Sequence, residues 1–425
     1  MSDTAVALFM AAVFAWGALA KRLTRADLTA PIVFVALGFL LTKAVPLDPD
    51  VEAETVKLAT EVTLVWVLFS DAARVGLREL RAEARVLGSL LGVALPVTVV
   101  LGWLLAEGLF DGFDVWLALL VGAALAPTDA ALGSVVITHP AVPTRVRRIL
   151  NVESGLNDGI ATPIVLVALA GAASAEGLEQ TGPGGALLEL LLGALVGVAV
   201  GVVGGKLLRA ARRRGWADED FAGPAVLALA LLAYGLAIAL DGNGFVAAFA
   251  AGVAFGHTAG RAGPHEVRYV EQTAGLASLL VWTLFGAVAV PVVVDAFSWQ
   301  VLLYAVLSLT VVRMLPVAVV LLGTGLPRRS GLFIGWFGPR GLASVVFALL
   351  AVEELGADAN QAVAVIATTV LFSVVAHGVT AGPLSVRFGA GVEPGAGAGA
   401  DSPTPEPVAT ARFSSRGDPA VADPS

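Results

Sequence analysis

The chain has no cysteine, three methionines, three tyrosines and four histidines in 425 residues. Without cysteine there is no disulfide, no thiolate nucleophile and no cysteine-ligated metal. The scattered histidines leave little for a metal site of another kind. Charge is scarce too: Asp, Glu, Lys and Arg make up 14% of the residues, against about 25% in a soluble globular domain. Apolar residues take their place. Hydrophobic residues reach 57%, and the 48 glycines bring the apolar-plus-glycine share to about 68%, where a soluble domain holds about 45–50%. Mean hydropathy is +0.85. Such a chain is an integral membrane protein. No stretch outside the apolar runs is long enough to bury a soluble core, so residues 1–390 are expected to form one membrane domain.

About 20 apolar residues cross a bilayer core as a helix. Thirteen candidate spans follow, at about 4–20, 28–46, 54–71, 87–108, 113–136, 150–171, 185–208, 220–240, 243–257, 274–295, 298–323, 329–352 and 361–385. The first is read as a span and not as a cleaved signal, because no basic region precedes it. Basic residues follow every odd-numbered span, among them Arg22, Arg25, Arg74, Arg145, Arg148, Arg213, Arg261, Arg268, Arg329 and Arg387. The alternate connections carry acids, among them Asp48, Glu107, Asp111, Glu176, Asp295 and Glu353. This alternation predicts an odd count with the N-terminus outside and the C-terminus in the cytoplasm. Residues 74–85, RVGLRELRAEAR, read as a short interfacial helix. From Gly395 the chain is rich in Gly, Pro, Ala and Ser, and 391–425 are expected to be a disordered cytoplasmic tail.

A charge at mid-bilayer costs at least about 2.5 kcal/mol on insertion scales, so embedded polar residues are the candidates for function. In span 5, LAPTDAALG places Pro127, Thr128 and Asp129 inside an apolar run. Proline removes a helix donor and clashes with the preceding turn, so a break is expected there. Broken helices expose carbonyls and helix ends from which a small cation site can be built; an internally bonded aspartate in a kinked helix is the other reading. In span 6, NVESGLNDGIATP spaces Glu153 four residues from Asn157, and Ser154 four from Asp158, on adjoining helix sides. These oxygens suit a hard cation. Asp158 can hold a proton or a metal cation, and that competition by itself couples the two ions. Arg313, well inside span 11, cannot shed its charge and needs a carboxylate, for which Glu153 is the candidate; snorkelling or an aqueous funnel is the alternative. In span 12, FGPRGLASVVF interrupts the apolar run at Gly338, Pro339, Arg340 and Gly341. Two breaks in opposite halves suggest inverted repeats that cross near the midplane, with Arg340 offsetting helix-end dipoles or the acidic site.

Other polar residues are read on the same terms. Asp71, at the inner end of span 3, either lines a cytoplasmic funnel or caps the next helix. Glu61 is a polar contact or a helix-packing group. His377, in VVAHGV, is a packing residue or a proton relay. The glycines of LLLGALVGVAVGVVGGKLL have small-xxx-small spacing, which reads as close helix packing, with a dimer face as one use.

APTDA at 126–130, ESGLNDG at 153–159, the arginine of VVRMLPV at 311–317 and GPRG at 338–341 occur in one order. In that order they resemble the monovalent cation/proton antiporter superfamily, and within it the NhaP-like sodium/proton exchangers, over about residues 5–388. The resemblance implies an all-α polytopic fold of twelve or thirteen helices, with a dimerisation part and a transport part that holds two crossed, interrupted helices. It implies no enzyme activity and no cofactor. Sodium, or lithium or potassium, is exchanged for protons, and Asp158 carries the cation or the proton with help from Thr128, Asp129 and Ser154. It supports the Glu153–Arg313 pair and a homodimer among membrane lipids, with no nucleic-acid partner. Asn157 stands where electrogenic relatives have a second aspartate, which implies electroneutral exchange serving pH and sodium homeostasis at the inner membrane of a prokaryote. A potassium/proton antiporter of the same fold is the alternative substrate reading, and a cation channel the alternative class.

Overall fold

The computed structural model describes residues 3–24, 28–44, 49–177, 182–260 and 263–390. The expected tail at 391–425, and with it Arg25, Asp48 and Arg261, lies outside the described residues. Among the described residues every regular element is helical. The α-helices are α1 (Asp3–Thr24), α2 (Ala30–Ala44), α3 (Pro49–Arg74), α4 (Leu77–Ala82), α5 (Ala84–Ser89), α6 (Leu95–Leu109), α7 (Val115–Ala124), α8 (Ser134–Thr138), α9 (Thr144–Ala175), α10 (Gly182–Arg213), α11 (Glu219–Ala239), α12 (Gly244–Thr258), α13 (Gly263–Asp295), α14 (Trp299–Leu307), α15 (Arg313–Leu321), α16 (Arg328–Trp336), α17 (Leu342–Leu355) and α18 (Asn360–Ala390). The charge-rich segment after span 3 does form a short helix, α4.

By length and composition, eight helical stretches among the described residues can cross a membrane: Thr4–Thr24, Ala84–Leu109, Thr144–Ala175, Gly184–Arg213, Glu219–Ala239, His265–Asp295, Trp299–Leu321 and Leu342–Ala390. The difference from thirteen has physical causes. Ala30–Lys43 and Gly244–Thr258 are apolar but short, and Val115–Ala124 is one half of a broken helix. The first turns of α3 are charged. The long last stretch holds two helices, because Gly356, at φ +58°, turns α17 into α18 through one 3-10 turn.

Two π-helical turns widen long helices, at Leu90–Ala94 and Ser308–Val312. Each is followed by a proline, Pro96 or Pro316, whose missing N–H and ring disturb the carbonyl four residues earlier, inside the widened turn. The second turn leads directly into Arg313. Helix starts are capped by side chains in several places: Asp114 accepts from Leu117 N–H, Asn243 from Val246 N–H and Ser298 from Val301 N–H.

Helices α2, α3 and α10–α13 pack on one another, and α9 and α17 from the remaining set lie against α3. The glycine stripe of α10 is used within the chain. Gly193 meets Asn243, the cap of α12, and Gly197 and Gly201 meet Ala247 and Ala251 of α12; a Cβ on Gly197 would stand 2.7 Å from Ala247 Cα. The close packing expected from the spacing is therefore present, and within the chain its partner is α12. The leucines on other faces of α10, among them Leu188, Leu191 and Leu195, are exposed.

Ion pairs tie helix ends together. Arg74 at the end of α3 bonds Glu271 of α13 at 2.5 Å, Arg145 of α9 bonds Glu83 at 2.9 Å, and Arg212 of α10 bonds Glu266 of α13. Lys57 near the other end of α3 bonds Glu353 of α17.

Candidate functional site

Helix α7 stops at Ala124 and the chain stays non-helical to Gly133, while α16 stops at Trp336 and α17 starts at Leu342. Both breaks fall where proline and glycine interrupt the apolar runs, and the two breaks touch. Asp129 N–H donates to Pro339 C=O at 2.8 Å. The Asp129 carboxylate accepts Ala131 and Leu132 N–H through Oδ1, at 2.7 and 3.1 Å, and Leu342 N–H through Oδ2, at 2.9 Å. In the other direction, Arg340 Nη1 donates to Ala126 and Pro127 C=O at 2.6 and 3.0 Å, and Ser344 Oγ donates to Ala124 C=O at 2.6 Å. An anion thus sits at the N-terminus of α17 and a cation at the C-terminus of α7, the favourable sign at each helix end. Gly341 is needed for this approach, since any Cβ there would collide with the Asp129 carboxylate.

Helix α9 runs past the crossing. Its Glu153, Ser154, Asn157 and Asp158 are all buried. Thr128 Oγ1 lies 2.9 Å from Ser154 Oγ and accepts Asn157 Nδ2–H at 2.7 Å, which ties the first break to α9. Arg313 Nη2 donates to Glu153 Oε1 at 2.6 Å, with the two side chains 2% and 3% exposed. The guanidinium is also beside the second break: a Cβ on Gly338 would stand 2.7 Å from Arg313 Nε and 2.8 Å from Thr128 Cγ2. Snorkelling is thereby excluded for Arg313. Asp158 differs from these neighbours. Its side chain is in neither a hydrogen bond nor an ion pair among the described residues, although the residue is only 7% exposed. Next to it, Gly159 packs so closely on the Phe249 ring of α12 that a Cβ there would collide with it.

Thr128, Asp129, Glu153, Ser154, Asn157, Asp158, Arg313 and Arg340 therefore come together, and Asp71 stands at the edge. The Asp71 backbone carbonyl lies against Gly155 of α9, while its carboxylate accepts from Arg74 at 2.5 Å. Glu61 of α3 lies near the Tyr234 hydroxyl of α11. Ser344 and Ser373 were not singled out in the sequence. The only signal for them was a hydroxyl in an apolar stretch, which helices commonly satisfy locally. Phe249 gave no signal, since an aromatic in an apolar run is ordinary core.

A family model described as "Sodium/hydrogen exchanger, transmembrane" matches residues 8–387. The K(+)/H(+) antiporter NhaP of Alkalimonas amylolytica is 27% identical over 304 residues, 69% of this chain and 50% of that protein. The Na(+)/H(+) antiporter NhaH of Halobacillus dabanensis is 26% identical over 395 residues, 88% of this chain and 94% of that one. The chain spans between 33% and 50% of the length of three of the curated relatives it matches, the Alkalimonas protein among them. In fold, it resembles the solved structure of the sodium proton antiporter MjNhaP1 from Methanocaldococcus jannaschii, with a TM-score of 0.74 at 20% identity over 91% of this chain and 99% of that one.

Proposed function

The chain belongs to the sodium/hydrogen exchanger family, and from that premise we propose that it is a secondary antiporter, exchanging one sodium ion for one proton by alternating access at Asp158. The observation that carries this reading is the buried, unpaired Asp158 carboxylate beside the Thr128 and Ser154 hydroxyls at the crossing of two broken helices. An ionised carboxylate is costly to move through a low-dielectric barrier. Binding either a proton or a sodium ion neutralises it, so both loaded forms cross and the empty form does not. That restriction converts competition into exchange.

The one-for-one ratio follows from the neighbours. Asn157 is an amide, Glu153 is neutralised by Arg313, and Asp129 is engaged by three backbone N–H groups. Asp71 is paired with Arg74, and Asp158 is left as the carboxylate of the cluster without a partner among the described residues. In this reading Asp129 holds the crossing, a change from its expected part in carrying the ion, and Asn157 positions Thr128. Asp71 lines the route from the cytoplasm. With no net charge moved, membrane voltage does not drive the cycle directly.

The topology assigned with this function is thirteen crossings, counting α2, α3, the α7–α8 and α16–α17 broken helices and α12 beside the long stretches. The N-terminus is outside, and residues 391–425 form a cytoplasmic tail. The ion pairs support the count. Arg74–Glu271, Arg145–Glu83 and Arg212–Glu266 each join residues that it places on the cytoplasmic side, and Lys57–Glu353 joins two that it places outside. The broken helices are the fifth and twelfth crossings, and an odd offset makes them antiparallel, as inverted repeats require. The protein is assigned to the cell membrane of a prokaryote, as a homodimer.

Potassium is the second substrate to assay, because the Alkalimonas relative carries a potassium/proton name. The test is proton movement in proteoliposomes on addition of sodium, lithium or potassium. Sodium-dependent flux that is insensitive to an imposed voltage is expected. A response to potassium alone would change the substrate, and a voltage-driven current without proton movement would contradict exchange.

A further inference from the structure

The break between α16 and α17 leaves backbone groups that need partners where no water can supply them. Two neighbouring side chains of α18 meet them. Ser373 Oγ accepts Arg340 N–H at 2.7 Å, and His377 Nε2 lies 2.8 Å from Trp336 C=O, so one helix face reaches both lips of the break. The pair is internally connected, with Ser373 Oγ 3.1 Å from His377 Nδ1; the Ser373 carbonyl lies 2.8 Å from the same nitrogen. Each ring nitrogen of His377 thus lies within hydrogen-bond distance of a backbone carbonyl, Nδ1 of Ser373 and Nε2 of Trp336, and the neutral ring donates to one of the two. Packing reinforces the contact. The Trp336 and His377 rings are 5.1 Å apart, and Trp336 Nε1 donates to Thr380 Oγ1 at 3.1 Å, one turn further along α18. Both Ser373 and His377 are buried.

We infer that Ser373 and His377 are positioning residues for the cation site: together they splint the α16–α17 break at the width at which Arg340 can grip the carbonyls of Ala126 and Pro127. Those carbonyls immediately precede Thr128, whose hydroxyl contacts Ser154 and Asn157. A change at His377 therefore reaches the ion through Trp336, Arg340 and Thr128 without contact. This rests on the exchange reading above. It also gives His377 a use other than proton relay.

The test compares His377→Leu, His377→Gln and Ser373→Ala with wild type, as purified full-length protein. Sodium affinity is read twice, as the apparent KM for exchange in proteoliposomes and as stabilisation by sodium against heat in detergent. Misplacement of a site by an ångström costs up to about 100-fold, and a partial loosening is expected to weaken sodium about tenfold by both readouts in His377→Leu and Ser373→Ala. His377→Gln retains an N–H able to reach Trp336 C=O and should stay within about twofold of wild type. The double variant should be no worse than His377→Leu alone, because the two side chains act as one unit.

Unchanged sodium affinity in folded His377→Leu would overturn the inference. So would lower heat stability with unaltered sodium affinity, or a shifted pH profile at constant KM, which is the signature of a relay. Wild type that sodium stabilises but that does not exchange would sink the transport reading and leave the splint to be decided by the heat measurements.

Discussion

Replacing Arg313 by glutamine leaves the Glu153 carboxylate 3% exposed and without its counter-ion. Two oppositely charged groups 2.6 Å apart attract by about 6 kcal/mol at an effective dielectric constant of about 20. Much of that attraction offsets the several kcal/mol lost when each ion leaves water. The intact pair thus contributes little net stability, whereas a half-pair is expensive. Arg313→Gln should therefore destabilise the protein by about 3–5 kcal/mol, the range for breaking a buried pair. At on the order of 2 °C per kcal/mol for a large chain, the heat-inactivation midpoint should fall by roughly 6–10 °C. The double variant Glu153→Leu/Arg313→Leu removes both charges and should recover most of the loss. It should also retain sodium-dependent proton movement, because neither residue carries the transported ion. The assay is heat inactivation of detergent-purified protein for wild type, each single variant and the double. Equal loss in single and double variants would refute the reasoning, and so would an exchange-dead double variant that remains as stable as wild type.

Further outcomes follow from the same geometry. Asp129→Asn keeps the shape but loses the charge at the α17 N-terminus and turns one acceptor into a donor facing a backbone N–H; it should lower stability by about 1–2 kcal/mol, read by the same heat assay. Gly197→Val should push α10 off Ala247 of α12 and destabilise the folded chain by about 1–3 kcal/mol. A loss of dimer with unaltered heat stability would instead return the stripe to a subunit interface. Because protons and sodium compete for Asp158, the apparent KM for sodium should rise as pH falls, by up to about tenfold per pH unit. A KM that falls or stays constant on acidification would exclude a shared site.

The sequence made some of this legible for physical reasons that hold anywhere in a membrane. A proline inside an apolar run disturbs a helix but does not by itself end it, since Pro163, Pro291 and Pro383 stay inside α9, α13 and α18; the breaks at Pro127 and Pro339 were legible because polar residues or glycines stand beside the proline. An arginine that cannot neutralise itself needs a carboxylate, and Arg313 does meet Glu153. Other features depend on tertiary placement. Nothing in APTDA tells whether the Asp129 carboxylate faces a cavity or a neighbouring helix end, and its oxygens bond the backbone of two segments. The α10 glycines announce close packing but not against what. Helix count is blurred where α2 and α12 are short and where a single glycine turns α17 into α18. His377 looked like an isolated histidine because its partners lie 41 residues away, across the break, as well as one turn back on its own helix.

The most direct test of the central claim is the number of protons released per sodium bound by the purified protein, measured with a pH indicator in weakly buffered detergent solution at a pH low enough that the site is protonated before sodium is added. A single shared carboxylate predicts one proton per sodium in wild type as the solution becomes acidic enough to load the site, and none in Asp158→Asn. Two protons per sodium, or release that persists in Asp158→Asn, would contradict it.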